Sequence, residues 1–562
     1  MGHPASPPGV YHSAGYPERG RHMKRSAAIF LISSLMLLAR APAQEHEHGQ
    51  GSEKLGTVQF ETSCNAPAQQ EFNRGVALLH SFQFSRAIDG FQRTLKADPS
   101  CAMAYWGVAL SQWSNPFADG LRLPSQLRDG RAAVAQAVAL SAKSDRERAY
   151  IAAVGKLYAG FERTPQPTRL LRYRDAMAEV AKRYPRDHEA TIFYALALAA
   201  SEDPSDKTYR SRREAGQILE KLFAEEPDHP GLAHYIIHTY DVPPLADKAI
   251  AAARRYAKIA PDAPHALHMP SHTFTRVGYW NDSIASNVAA AAAARRQGQT
   301  AEELHADDYL VYAYLQSGRD QAAEELVKSL GEVSARFDPS RIIGGAAPPA
   351  AGYFALAAIP ARFALERNDW QAAAQLPVRD TPFPYTDAIT YFARGLGLAR
   401  IGNAAGAQTA AETLRKIAQR LREANESYWA EQVEIQHLDV LAWALLAQGR
   451  RDDALRAMTA AAQREDATEK SAITPGPLKP ARELLGEMLL RLNQPKLALV
   501  EFERTLKTDP DRFRTLYGAG RAARSADDSV ASRRYFRRLL VVCASGDKPG
   551  RKELAEAAQQ AK

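Results

Sequence analysis

The chain has 562 residues, 45% hydrophobic and 24% charged, with 72 Lys and Arg against 64 Asp and Glu for a formal charge of +8. That length exceeds one ordinary globular core, so several domains or one long repeat array is expected. Residues 1–43 carry five basic groups and one acid, leaving +4 on the remainder, too weak a field to point to nucleic acid.

Residues 1–22 are rich in Pro, Gly and His and precede a better start at Met23, so they read as an upstream or mis-started segment. Residues 23–43 have the layout of a secretory signal: basic Met23-Lys24-Arg25, an apolar Ala27–Leu38 core, and small Ala41 and Ala43 at the cleavage site. The protein is therefore expected to be exported, periplasmic or secreted. No other segment approaches the roughly 20 apolar residues of a transmembrane helix, so no integral membrane segment is expected in the mature chain. Cleavage after Ala43 would leave Gln44-Glu45-His46, an amine with histidine third, which chelates Cu(II) or Ni(II); the alternative is a plain polar leader. Residues 44–65 form an extended leader. In an oxidising compartment Cys64 and Cys101 can bridge this leader to the loop after the first helical hairpin; two unrelated buried thiols are the alternative. Cys543 reads as a packed thiol.

From residue 66 onward alanine is abundant and the apolar pattern is helical, with few β-branched runs. Gly75, Ala87, Phe91 and Pro99 keep a spacing that Gly486, Ala498, Phe502 and Pro510 repeat, and Gly520, Ser532 and Phe536 continue it. Inter-helix turns mark weaker copies at Gly278, Gly318, Gly402 and Gly449, and Asn368-Asp369-Trp370 has the same form without glycine. In these residues the chain resembles the tetratricopeptide repeat superfamily. The resemblance implies an all-α solenoid of helical hairpins wound as a right-handed superhelix. It covers N-terminal repeats over 66–337, middle repeats over 353–465 and C-terminal repeats over 481–545, before a polar tail at 546–562. Three stretches break the pattern: 114–126, 338–352 and the Pro/Gly loop 466–480. Helical repeats resume after each, so they read as ordered insertions rather than linkers.

The most informative feature is a pair of histidine doublets, His234/His238 and His268/His272, set 34 residues apart, one repeat length. Residues i and i+4 share a helix face, and equivalent positions in successive repeats share a face of the stack. Four imidazoles are therefore predicted to converge, with His305 and Asp308 nearby. The resemblance implies that these register positions line the concave groove, together with Arg276 and Tyr312. Relatives grip a carboxylate there with Lys, Arg and Asn, whereas the matching positions here carry His and Asp. His229 and His265, nearer helix starts, read as structural. The segments Ala233–His238 and His268–His272 also resemble exported bacterial repeat proteins.

Three readings of the patch stay open. Imidazoles from adjacent helices can bind one transition-metal ion, Zn, Cu or Fe. They can form a polar groove for a protein or peptide, or act in acid–base chemistry. No His-Glu-x-x-His, phosphate loop or nucleophile elbow is present to support catalysis. The expectation is an exported scaffold binding a protein or peptide, with a histidine-rich metal or ligand site. The alternative is a metal-dependent enzyme or metal carrier.

Overall fold

The computed structural model describes residues 53–341 and 343–562. The segments 1–22 and 23–43, the His46 motif and the rest of 44–52 at the start of the leader lie outside the described residues. Within them the chain forms 26 α-helices, one 3-10 helix and no strand. The fold is the expected all-α solenoid of tetratricopeptide-type hairpins. None of the described helices is long and apolar enough to cross a membrane.

Helices Ala66–His80 and Phe84–Ala97 form the first hairpin, and Ala102–Trp113 stacks on it. Phe91 shows why the repeat needs small residues at fixed spacing. A Cβ on Gly75 would lie 2.9 Å from its ring and one on Gly107 2.3 Å, so both flanking helices must be bare there. Phe502 sits in the same way between Gly486 and Gly518, where a Cβ would come within 2.9 and 2.5 Å. Gly278 and Gly318 end their helices at φ +73° and +71°, and Asn368 takes the left-handed conformation at φ +52° where the turn has no glycine.

Residues before the first helix run extended. Phe60 is fully buried, its ring centroid 5.4 Å from Phe72, 5.3 Å from Trp106 and 5.0 Å from Tyr150. Cys64 and Cys101, 37 residues apart, are joined by a disulfide. Cys543 is a buried thiol that burial pushes up to about 12.

The apolar interior comes in two large parts, Leu55–Phe274 with Ala346, and Ala347–Ala557. The superhelix also closes on itself. Trp280 Nε1 donates to the Asp511 carbonyl at 3.0 Å, and Phe513 N to Gln316 Oε1 at 2.9 Å. Lys207 Nζ reaches the Thr468 carbonyl at 2.9 Å. The C-terminal repeats and the loop before them therefore pack on the N-terminal repeats, and surfaces expected to face an open hollow are enclosed.

Candidate functional site: a buried imidazole array

His234 and His238 lie on helix Pro230–Thr239. His268 and His272 were expected on one helix, but Pro270 lacks the N–H that would continue it. The segment is instead two short helices, Pro264–His268 and Pro270–Arg276, joined at Met269. Met269 keeps right-handed helical angles, φ −53° and ψ −36°, so the two histidines still share a face. His305 comes from helix Thr300–Gln316.

The predicted convergence occurs, in different groups and in a different setting. The rings make two adjacent triads, His234/His238/His265 and His268/His272/His305, each with its ligating atoms within 4.8 Å of one another. His265, read from sequence as structural, is thus a full member. The triads abut: ring centroids are 5.7 Å apart for His238 and His272 and 5.9 Å for His265 and His268. All six are at most 4% exposed, so they line no open groove.

The three residues assigned to that groove are also enclosed and held by internal partners. Asp308 is 0% exposed and accepts from Arg362 Nε at 2.7 Å. Arg276 Nε donates to Asp241 Oδ1 at 2.8 Å. Tyr312, 1% exposed, accepts from Arg512 Nη1 at 3.1 Å. The closing of the superhelix is the physical reason: it buries the register positions that an open solenoid would present.

The three stretches that interrupt the repeat pattern all fold inward onto the array. Phe117, in the loop after Trp113, stacks on His238 with centroids 4.5 Å apart and planes 12° from parallel. Ala347 N, in the loop before Pro349, donates to Glu302 Oε1 at 2.7 Å, and Glu302 Oε2 stands 3.7 Å from His265 Nδ1. The 467–480 loop acts as a strap. Its Lys470 Nζ donates to Asp241 Oδ2 at 2.8 Å, and its Thr474 carbonyl accepts from Tyr309 Oη at 2.9 Å.

Hydrogen-bond partners fix the tautomers in the second triad. Asn287 donates through Nδ2 to the Ser283 carbonyl at 2.8 Å, which leaves its Oδ1 to accept from His268 Nδ1 at 2.7 Å. His272 Nδ1 donates to the Asp241 carboxylate at 2.9 Å. A neutral imidazole has one N–H, so both Nε2 atoms carry lone pairs, and they face each other at 3.1 Å. Burial, and then the neighbouring imidazoles, hold His234, His238 and His268 well below the ordinary imidazole value, and His305 likewise. Burial lowers His272 to about 4 despite Asp241. A proton shared between the two Nε2 atoms is therefore disfavoured at neutral pH. Two lone pairs at this separation call for a shared cation. Two nitrogens bound to one ion at about 2.0–2.1 Å lie roughly 3 Å apart.

Asp241 is the outer partner of this arrangement. Burial would raise its carboxyl, but Lys470 and Arg276 hold it well below the usual range. Burial in turn pulls the Lys470 ammonium down to about 8. In the first triad His234 Nδ1 donates to the His80 carbonyl at 2.6 Å, and its Nε2 lies 3.1 Å from His265 Nε2. Imidazoles oriented by a carboxylate, amide or carbonyl on the far nitrogen are the usual construction around a protein-bound metal. Among the described residues, buried His238 Nε2, His265 Nδ1 and His305 Nδ1 have no hydrogen-bond partner.

A third group, His80/Glu189/His229, behaves differently. His229 Nδ1 accepts from Leu232 N at 3.3 Å, which puts its proton on Nε2, donated to Glu189 at 3.1 Å. His80 Nε2 reaches the other carboxylate oxygen at 2.9 Å, and its Nδ1 lies 3.0 Å from Tyr235 Oη. Every nitrogen there has a protein partner, as in a structural network.

No protein-family model matches the chain, and no curated protein does. Among solved structures, the human IFIT1 dimer with m7Gppp-AAAA matches with a TM-score of 0.38 and 11% identity, covering 86% of this chain and 96% of that one. A likeness that distant carries nothing about the site, which rests on its own geometry.

Proposed function

We propose that this protein is an exported helical-repeat metalloprotein, with a transition-metal ion (Zn, Cu or Fe) held by His268, His272 and His305. The observation that carries the reading is the pair of lone-pair-bearing Nε2 atoms 3.1 Å apart, each oriented from behind by Asn287 or Asp241. Full burial under the 467–480 strap favours a resident ion over a carried one, because release would require the strap to lift. The peptide-groove reading loses its support, since Arg276, Asp308 and Tyr312 are enclosed and internally paired. Export is supported by the signal-like segment 23–43 and by the Cys64–Cys101 disulfide, which suits an oxidising compartment.

Elemental analysis of the untagged mature protein tests the reading. The expected result is stoichiometric transition metal, with the ion held by His268, His272 and His305 lost in His268→Ala/His272→Ala while helicity is retained. A metal-free preparation that no transition metal reconstitutes overturns it.

A further inference from the structure

The first triad has its own facing pair. His234 Nε2 and His265 Nε2 lie 3.1 Å apart, as His268 Nε2 and His272 Nε2 do. Each triad adds a third ring carrying a buried nitrogen with no partner among the described residues, His238 Nε2 in one and His305 Nδ1 in the other. The ligating atoms fall into two groups of three, each within 4.8 Å internally, although the rings themselves are contiguous, with centroids up to 6.1 and 6.2 Å apart inside the triads and 5.7 and 5.9 Å across them. Six nitrogens arranged as three and three are a poor cage for one ion and a natural one for two.

The fixed charge around the array limits which ion is cheap to bury. Six neutral imidazoles contribute none. Asp241 carries two cations, Arg276 and Lys470. Glu302 lies 3.7 Å from His265, and Asp308 is already paired with Arg362. Asp241 and Glu302 are thus equalled in number by Arg276 and Lys470, both of which pair with Asp241, so these groups supply no net negative charge to offset an added ion. Two divalent ions would bury four uncompensated positive charges, two monovalent ions only two, and uncompensated charge in a low-dielectric interior is expensive. Imidazole is a good ligand for copper, the metal among the candidates with an accessible monovalent state.

From this geometry, and resting on the metalloprotein reading above, we infer that the array holds two ions side by side, one per triad, and that both are cuprous copper.

The test is an anaerobic titration of the metal-free full-length mature protein with cuprous copper against a colorimetric cuprous chelator, counting ions per chain. Two are expected. His234→Ala/His265→Ala should retain one ion, and so should His268→Ala/His272→Ala, with circular dichroism confirming the fold. The milder His238→Gln should weaken one of the two ions about tenfold or more and spare the other. One ion in the unaltered protein, or loss of both ions in either folded double variant, overturns the pairing and leaves the metalloprotein reading intact. No ion of any metal sinks both. A parallel titration with zinc decides the valence: equimolar cuprous copper should displace bound zinc, and zinc that resists displacement overturns the copper assignment.

Discussion

Two of the polar clusters buried in this molecule satisfy their atoms in opposite ways. In the C-terminal half, Arg512 donates from Nε to Glu483 at 2.8 Å and also pairs with Glu366. Lys479 bridges Glu483 and Glu487 at 2.9 and 3.1 Å, and Arg400 meets Glu487 at 2.6 Å. Three cations face three carboxylates, so the knot balances its charge within the chain and leaves only Glu366 Oε2 without a hydrogen-bond partner among the described residues. In the imidazole array the same degree of burial sets lone pair against lone pair, with nitrogens left over. The lesson is that burial alone does not mark a binding site. What marks one is a cluster whose hydrogen-bond requirements the fold leaves open, as His80/Glu189/His229 confirms from the other side by closing its own.

The contrast can be broken most decisively at the knot. Arg512→Met should strand Glu366 and Glu483 without their shared cation and cost about 3–5 kcal/mol of stability, read by denaturant unfolding. A cost below ~1 kcal/mol would mean the knot is not holding its charges as drawn. Next is the covalent tie of the leader: Cys64→Ser/Cys101→Ser should lower stability by about 2–4 kcal/mol, with reductant no longer shifting the melting temperature. At the array, Asp241→Asn removes the carboxylate behind His272 and should weaken metal binding about 10–100-fold while the knot stays intact. Affinity unchanged within twofold in that variant would separate Asp241 from the metal.

A subtler comparison uses Asp439, 1% exposed, whose Oδ1 has no partner among the described residues. Burial, then Glu465, holds this carboxyl well above its ordinary value. The folded state therefore keeps a proton that the unfolded chain has already lost. The favourable contribution is present below the ordinary aspartate pKa and disappears as pH rises toward the folded value. Asp439→Asn should thus match the parent near pH 4 and gain on it as pH rises, by up to about 1.4 kcal/mol per unit across that window. Melting curves at pH 4, 6 and 8 check it; a gain that shrinks with rising pH reverses the sign and refutes the assignment.

Much of the fold was legible because its signals are local. The Gly75/Phe91 and Gly486/Phe502 spacings specify hairpin contacts, and the turn glycines announce where helices end. The doublets announced that four imidazoles would meet. One further member of the array and one residue of the neighbouring His80/Glu189/His229 network could have been read from the same register. Counted from its turn glycine, His265 falls at the helix position that His305 takes one repeat later, and His80 falls at a groove position of the first repeat. Proximity to a helix start made His265 look structural. Asn287 and Lys470 carried no such signal, since they reach the array from another helix and from a loop some 200 residues away.

The amino-acid sequence by itself determined the repeat, its register and the convergence of the doublets, because periodicities of 3.6 and 34 residues are properties of the local chain. Tertiary structure alone decided that the array is buried, divided into two triads and held by partners on its outer nitrogens. Those outcomes depend on the superhelix closing on itself, on three insertions folding inward, and on which distant atom meets each far nitrogen. A hydrogen bond made across the fold sets a tautomer, and spacing along the chain cannot.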